Sequence, residues 1–189
     1  MNLELHTDRL IIKPLSLGDL DIGIELFTDP EVGRYTGGTY TAEEIEADMP
    51  TVVKRGGGGC IGIWCVIDRH TSEKLGTGAL LPMPVDEDDT NWDLVHGPDI
   101  PDCEIEVGYI LKQSAWGKGY ATEICLCLLK LAFEQTPLEE VVASIDDGNH
   151  QSERVLSKCG LRSEGRRRAY GQQTLCFRIT REQWLSRNP

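Results

Sequence analysis

One short stretch, Trp116-Gly117-Lys118-Gly119-Tyr120-Ala121-Thr122-Glu123, constrains this chain more than any other. Before it, Val107-Gly108-Tyr109-Ile110-Leu111 reads as an apolar strand, and after it residues 124–133 read as an apolar helix. A strand, a glycine turn and a helix start leave unpaired backbone N–H groups at the positive end of a helix dipole. Glycine lets the chain turn sharply and lets an anion approach the backbone. A phosphate cradle is therefore expected here. Neither common nucleotide fingerprint fits it. Gly119 follows Lys118 where a Walker A loop needs Ser or Thr, and no GxGxxG follows an N-terminal strand.

The rest of the chain reads as alternating strands and helices. Residues 9–15 form a strand, and Ser16 caps a helix to about Phe27, with Leu17, Leu20, Ile24 and Phe27 on one face. Asp29-Pro30-Glu31 lies in a short helical turn. Thr41-Ala42-Glu43-Glu44 is a capping box for a second helix. Residues 60–68 and 75–81 predict a hairpin, and 82–102 an acidic loop of binding-loop length. Residues 104–111 and 140–145 are strands. Residues 149–159 are a helix ended by Gly160, and 161–170 with 172–179 form a final antiparallel pair. No repeat or boundary divides the chain, so one α/β domain over residues 1–189 is expected.

Charge narrows the partners. The net charge is −12, yet residues 153–189 hold nine basic and three acidic side chains, so residues 1–152 carry −18. An acidic body argues against nucleic-acid binding, which rests on neutralising phosphates, and suits a cationic substrate such as an amine. The Arg166-Arg167-Arg168 run is expected on a solvated turn or strand edge. Seven cysteines contain no CxxC pair, so reduced thiols and no metal site are expected. There is no signal-peptide core and no apolar run near the ~20 residues of a membrane span, so a cytoplasmic location without membrane contact is expected. Monomer and homodimer are equally compatible with the sequence.

A second motif, Asn149-His150-Gln151-Ser152-Glu153-Arg154 through Gly160-Leu161, joins the first. With Glu106-Val107-Gly108-Tyr109 and residues 116–123, it resembles the GNAT N-acetyltransferase superfamily. Thr7-Asp8-Arg9-Leu10, Pro14-Leu15 and the closing Thr180-Arg181-Glu182-Gln183-Trp184 resemble its RimJ/RimL-like branch. The resemblance runs nearly end to end and is most specific over residues 104–161. It implies a mixed, mostly antiparallel sheet flanked by helices, with a splayed strand pair. It also implies transfer of acetyl from acetyl-CoA to a primary amine without a metal. Trp116 departs from the Gln or Arg of the family's pyrophosphate signature, while Gly119 and Ala121 match it.

The resemblance assigns roles residue by residue. Trp116, Gly117, Lys118, Gly119, Tyr120, Ala121 and Thr122 become contacts to the CoA phosphates. Val107, Tyr109, Ile110 and Leu111 offer backbone partners to the pantetheine and thioester. Asn149 bonds the pantetheine arm and Arg154 pairs with a phosphate. Ser152 protonates the leaving thiolate, because Leu156 stands where many relatives have a Tyr. An amine is mostly protonated at neutral pH and must lose that proton before attack, so a carboxylate base is needed. Glu106 is the first candidate and Glu104 the second, both on one strand face. Residues 28–59 and 82–102 are expected to set acceptor specificity, for a protein α-amine or a small-molecule amine. A non-catalytic acyl-CoA-binding module on the same scaffold is the rival reading.

Overall fold

The computed structural model describes residues 3–187. Its first strands are β1 (Leu5–His6) and β2 (Leu10–Pro14), paired antiparallel across a turn at residues 7–9. Ser16 then starts a 3-10 turn (Leu17–Asp19) that runs into α1 (Leu20–Phe27). The Ser16 backbone N–H and hydroxyl both donate to the Asp19 carboxylate. The expected stripe of Leu17, Leu20, Ile24 and Phe27 is displaced. Ile22 and Leu26 are buried instead, and Leu17 is exposed. The 3-10 turn, with three residues per turn, shifts the phase of the helix that follows.

Next come α2 (Pro30–Gly33) and α3 (Ala42–Val52), the latter opened by the Thr41–Glu44 capping box that the spacing predicts. β3 (Gly62–Asp68) and β4 (Lys74–Pro82) form the predicted hairpin, and β5 (Ile105–Leu111) extends it antiparallel. Then follow α4 (Tyr120–Gln135), β6 (Glu140–Ile145) and α5 (His150–Cys159). Gly160 ends α5 at φ +96°, a left-handed conformation that suits glycine. The chain closes with β7 (Arg162–Ala169), β8 (Gln172–Thr180) and α6 (Arg181–Arg187). β1 and α6 have no counterpart in the sequence reading. Two and seven residues are too few to show a period.

All eight strands lie in one sheet, in the order β1-β2-β3-β4-β5-β6-β8-β7. Every neighbouring pair is antiparallel except β5 and β6. Those two run parallel and share one paired position, Glu106 with Val142. β5 pairs with β4 over the whole of Ile105–Leu111, while its other edge stands open beyond Glu106. This is the splay that the resemblance implies.

Side chains alternate across a strand, so β5 serves both faces of the sheet. Val107, Leu111 and the half-buried Tyr109 join the main core, where α4 contributes Ile124, Cys125 and Leu128. Glu106, Gly108 and Ile110 point to the opposite face. There Ile110 packs on the smaller cluster of Leu15, Ile22, Leu26, Val32 and Cys65. Gly78 on β4 lets α4 sit close, because a Cβ there would lie 2.7 Å from an Ile124 methyl. One end of the acidic loop is pinned to the last hairpin. The Asp86 N–H donates to the Arg168 carbonyl at 3.1 Å, and the Gly171 N–H donates to the Glu87 carbonyl at 2.9 Å.

Candidate active site

The turn between β5 and α4 is built from two left-handed glycines, Gly117 at φ +72° and Gly119 at φ +82°. No backbone N–H from Gly117 through Thr122 has a hydrogen-bond partner among the described residues. The first bonded N–H of the helix is that of Glu123, which donates to the Gly119 carbonyl at 3.2 Å. Six consecutive free donors on a curved backbone, at the head of a sixteen-residue helix, fit a diphosphate anion.

The side chains around this turn brace it. The Trp116 indole N–H donates to the Leu111 carbonyl at 2.6 Å and ties the turn to the end of β5. The Tyr120 hydroxyl donates to Asp68 at 2.9 Å. The backbone N–H groups of Thr71 and His70, and then that hydroxyl, pull the Asp68 pKa down to about 2. Lys118 is exposed, while Ala121 and Thr122 are half-buried.

Across the splay, α5 begins at Asn149. Its side-chain oxygen accepts from the Ser152 N–H at 3.1 Å, so Asn149 acts as the helix cap and keeps its amide N–H₂ for a ligand. The Tyr109 hydroxyl reaches over from β5 and donates to the Ser152 carbonyl at 3.3 Å. Burial raises the Tyr109 pKa well above the ordinary phenol range, so this hydroxyl stays protonated. The resemblance implies a role for the backbone of Tyr109 only; its hydroxyl also meets α5, at Ser152. Arg154 is exposed and forms no ion pair among the described residues. Leu156, which stands where many relatives have a Tyr, is buried.

The two carboxylates on the opposite face are in unlike settings. Glu106 is 7% exposed and has no hydrogen-bond or ion-pair partner among the described residues. Burial alone pushes its pKa up to about 8. Glu104 lies one residue before the strand and is held by Arg167 of β7 and Arg178 of β8. Arg167 first, and then Arg178, hold its carboxyl below the usual range against the opposing effect of burial. A carboxylate bonded to two guanidinium groups has little basicity left to offer.

The described residues form two clefts. One, of about 470 Å³, lies between the segment Pro30–Thr39 and the residues Asp146 and Gln172. The other, of about 200 Å³, is lined by Met83, Val85, Leu94, Cys103 and Glu104. Each takes part of its wall from one of the two loops expected to set specificity.

The chain matches the acetyltransferase (GNAT) domain family over residues 9–162, and it belongs to that family. It is 26% identical over 168 residues to an uncharacterized N-acetyltransferase, p20, of Bacillus licheniformis, covering 88% of this chain and 86% of that one. It is 26% identical over 191 residues to the FsC-acetyl coenzyme A-N(2)-transacetylase of Aspergillus fumigatus, covering 96% and 77% of the two chains. A solved GNAT-family acetyltransferase from Bacillus anthracis shares the fold, with a TM-score of 0.73, 20% identity, and 95% and 99% coverage. The protein is therefore an N-acetyltransferase, of a family that uses acetyl-CoA. No described helix is long and apolar enough to cross a membrane.

Proposed function

We propose that this enzyme acetylates a primary amine by direct attack in a ternary complex, with Glu106 as the base. The observation that carries the reading is the position of Glu106. It is a buried carboxyl without a partner among the described residues, at the one paired position of β5 and β6, where the splay begins. The free N–H groups of residues 117–122 bind the CoA diphosphate, and the open edge of β5 at residues 107–111 bonds the pantetheine and the thioester oxygen. The Asn149 amide holds the pantetheine arm, and Arg154 answers a phosphate.

The chemistry follows from these placements. Acetyl-CoA supplies the activated acetyl group. Glu106, directly or through a water, takes a proton from the acceptor ammonium and leaves a neutral nitrogen able to attack the carbonyl carbon. A carboxyl with a pKa near 8 matches this task at neutral pH better than an ordinary one, because a stronger base takes an amine proton more readily. Backbone N–H groups of the splay stabilise the oxyanion. The C–S bond then breaks, the nitrogen gives up its second proton to solvent, and the departing thiolate takes up a proton at the edge where the Tyr109 hydroxyl meets Ser152. With Thr7, Arg9 and Leu10 in place, the RimJ/RimL-like branch fits best, and the acceptor is a peptide α-amine or a small-molecule amine. A cytoplasmic enzyme suits such a donor and acceptor.

Calorimetric titration with acetyl-CoA tests the cradle. Wild type is expected to bind at micromolar affinity, and Gly119→Glu to lose binding, since it puts a negative charge and a side chain against the anion. Unchanged affinity in Gly119→Glu would remove the cradle. A mass-spectrometric screen of amines and peptide N-termini with the wild type then identifies the acceptor.

A further inference from the structure

The N-terminal turn of the chain is bonded to the cradle in more ways than packing requires. The Thr7 hydroxyl and the Arg9 backbone N–H both donate to one oxygen of Glu123, in the first turn of α4. The Arg9 Nε donates to the other oxygen at 2.7 Å, and its Nη2 lies 2.6 Å from that same oxygen. The remaining arm, Nη1, donates to the Lys118 carbonyl at 2.9 Å. The guanidinium lies 4.5 Å from the centre of the Tyr120 ring, stacked beside the turn. Five polar contacts from two residues of the β1–β2 turn, and the stacking on Tyr120, thus converge on residues 118–123.

The bond to the Lys118 carbonyl has a geometric consequence. A peptide unit is planar, and none here is cis, so the carbonyl of Lys118 and the N–H of Gly119 point in opposite directions. Drawing the carbonyl onto Arg9 turns the Gly119 N–H to the other side of the backbone. Gly119 at φ +82° has no Cβ to hold that peptide in place, and left free its plane could flip. A flipped plane would face a phosphate with a carbonyl oxygen in place of a donor. Glu123 in turn fixes the guanidinium, so the fork cannot swing away.

We infer that Arg9 is a positioning residue for donor binding: it sets the Lys118–Gly119 peptide plane so that the Gly119 N–H serves the anion. This inference rests on the cradle reading. Lys118 and Glu123 would be Arg9's partners whether or not a ligand is present, so the site is pre-organised and loses little entropy on binding.

Calorimetry with acetyl-CoA on wild type, Arg9→Lys and Arg9→Met tests it, together with the amide ¹⁵N–¹H resonance of Gly119 in the unliganded proteins. Loss of one well-aimed donor to a charged group weakens binding by about tenfold or more. Arg9→Met is expected to show that loss and a displaced Gly119 resonance. Arg9→Lys should recover part of the affinity, because an ammonium still reaches the carbonyl but lacks the fork. A folded Arg9→Met with affinity within about twofold of wild type, or with the Gly119 resonance in place, would overturn the inference. If Arg9→Met fails to fold, Arg9→Lys decides by the same two readings. A wild type that does not bind acetyl-CoA would instead sink the cradle reading, and the resonance would still report whether Arg9 sets the peptide plane.

Discussion

Glu106 shows how much one residue's setting can decide. Its carboxyl has no partner among the described residues and is nearly excluded from water, so its charged form is disfavoured and its pKa rises to about 8. As the base of the free enzyme, it should give kcat/KM an acidic limb that rises with pH and levels off above about 8. Glu106→Gln is expected to lose most of that activity and the limb with it; a retained limb would assign it to another group. The same shift carries a stability term of opposite sense. A carboxyl with a raised folded pKa binds its proton more tightly when folded, so its contribution is intact below the unfolded value and fades as pH rises toward 8. Between pH 5 and 8 wild type should therefore lose stability relative to Glu106→Gln, by a few kcal/mol at most, on the scale of about 1.4 kcal/mol per pKa unit. Thermal melts of the two unliganded proteins across that range would show it. Sequence spacing alone put Glu104 and Glu106 on one face and so left two candidates. Arg167 and Arg178, some sixty and seventy residues away in the chain, separate them.

At the scale of elements, the cradle depends on where α4 sits. The helix rests on β4 through Gly78, where a Cβ would come 2.7 Å from Ile124 and 3.1 Å from Leu128. Gly78→Val would push these side chains outward. Overpacking of this kind costs about 1–3 kcal/mol. The melting temperature should fall, and acetyl-CoA affinity with it, because the free N–H groups ride on the displaced helix. Affinity measured well below the melt separates the two effects, and full retention there would mean that the turn holds itself without α4. The 3.6-residue pattern of α4 and its glycine turn were legible in the sequence. The Thr7–Arg9 clamp was seen only as a family resemblance in residues, because its partners lie more than a hundred positions on.

For the whole molecule, the weak point is the splay, since β5 and β6 share a single paired position. Ion pairs bridge it at one end, where Glu104 joins Arg167 and Arg178, and Arg178 also meets Glu140 and Glu164. Glu104→Gln should weaken that bridge by about 1 kcal/mol, as partly exposed pairs contribute little and are screened by salt. Its kcat should stay near the wild-type value, and a large loss of kcat would return Glu104 to the chemistry. The basic C-terminal segment, read from the sequence as a charge surplus, is in this fold largely a set of partners for acids in the body. Arg166 meets Asp147 and Arg168 meets Asp88 in the same way.

The sequence by itself determined most of the elements and the glycine turn at the head of α4, but not β1, α6 or the buried face of α1. Helix and strand periods, capping boxes and left-handed glycines are local, set by neighbours three or four residues away. The strand–turn–helix with its free N–H groups is likewise contained in about fifteen consecutive residues. Only the tertiary structure decided which carboxyl is free, which hydroxyl reaches Ser152 and which guanidinium braces the turn. Burial, ion pairing and pKa depend on side chains that distant segments bring together, and no local pattern encodes that meeting.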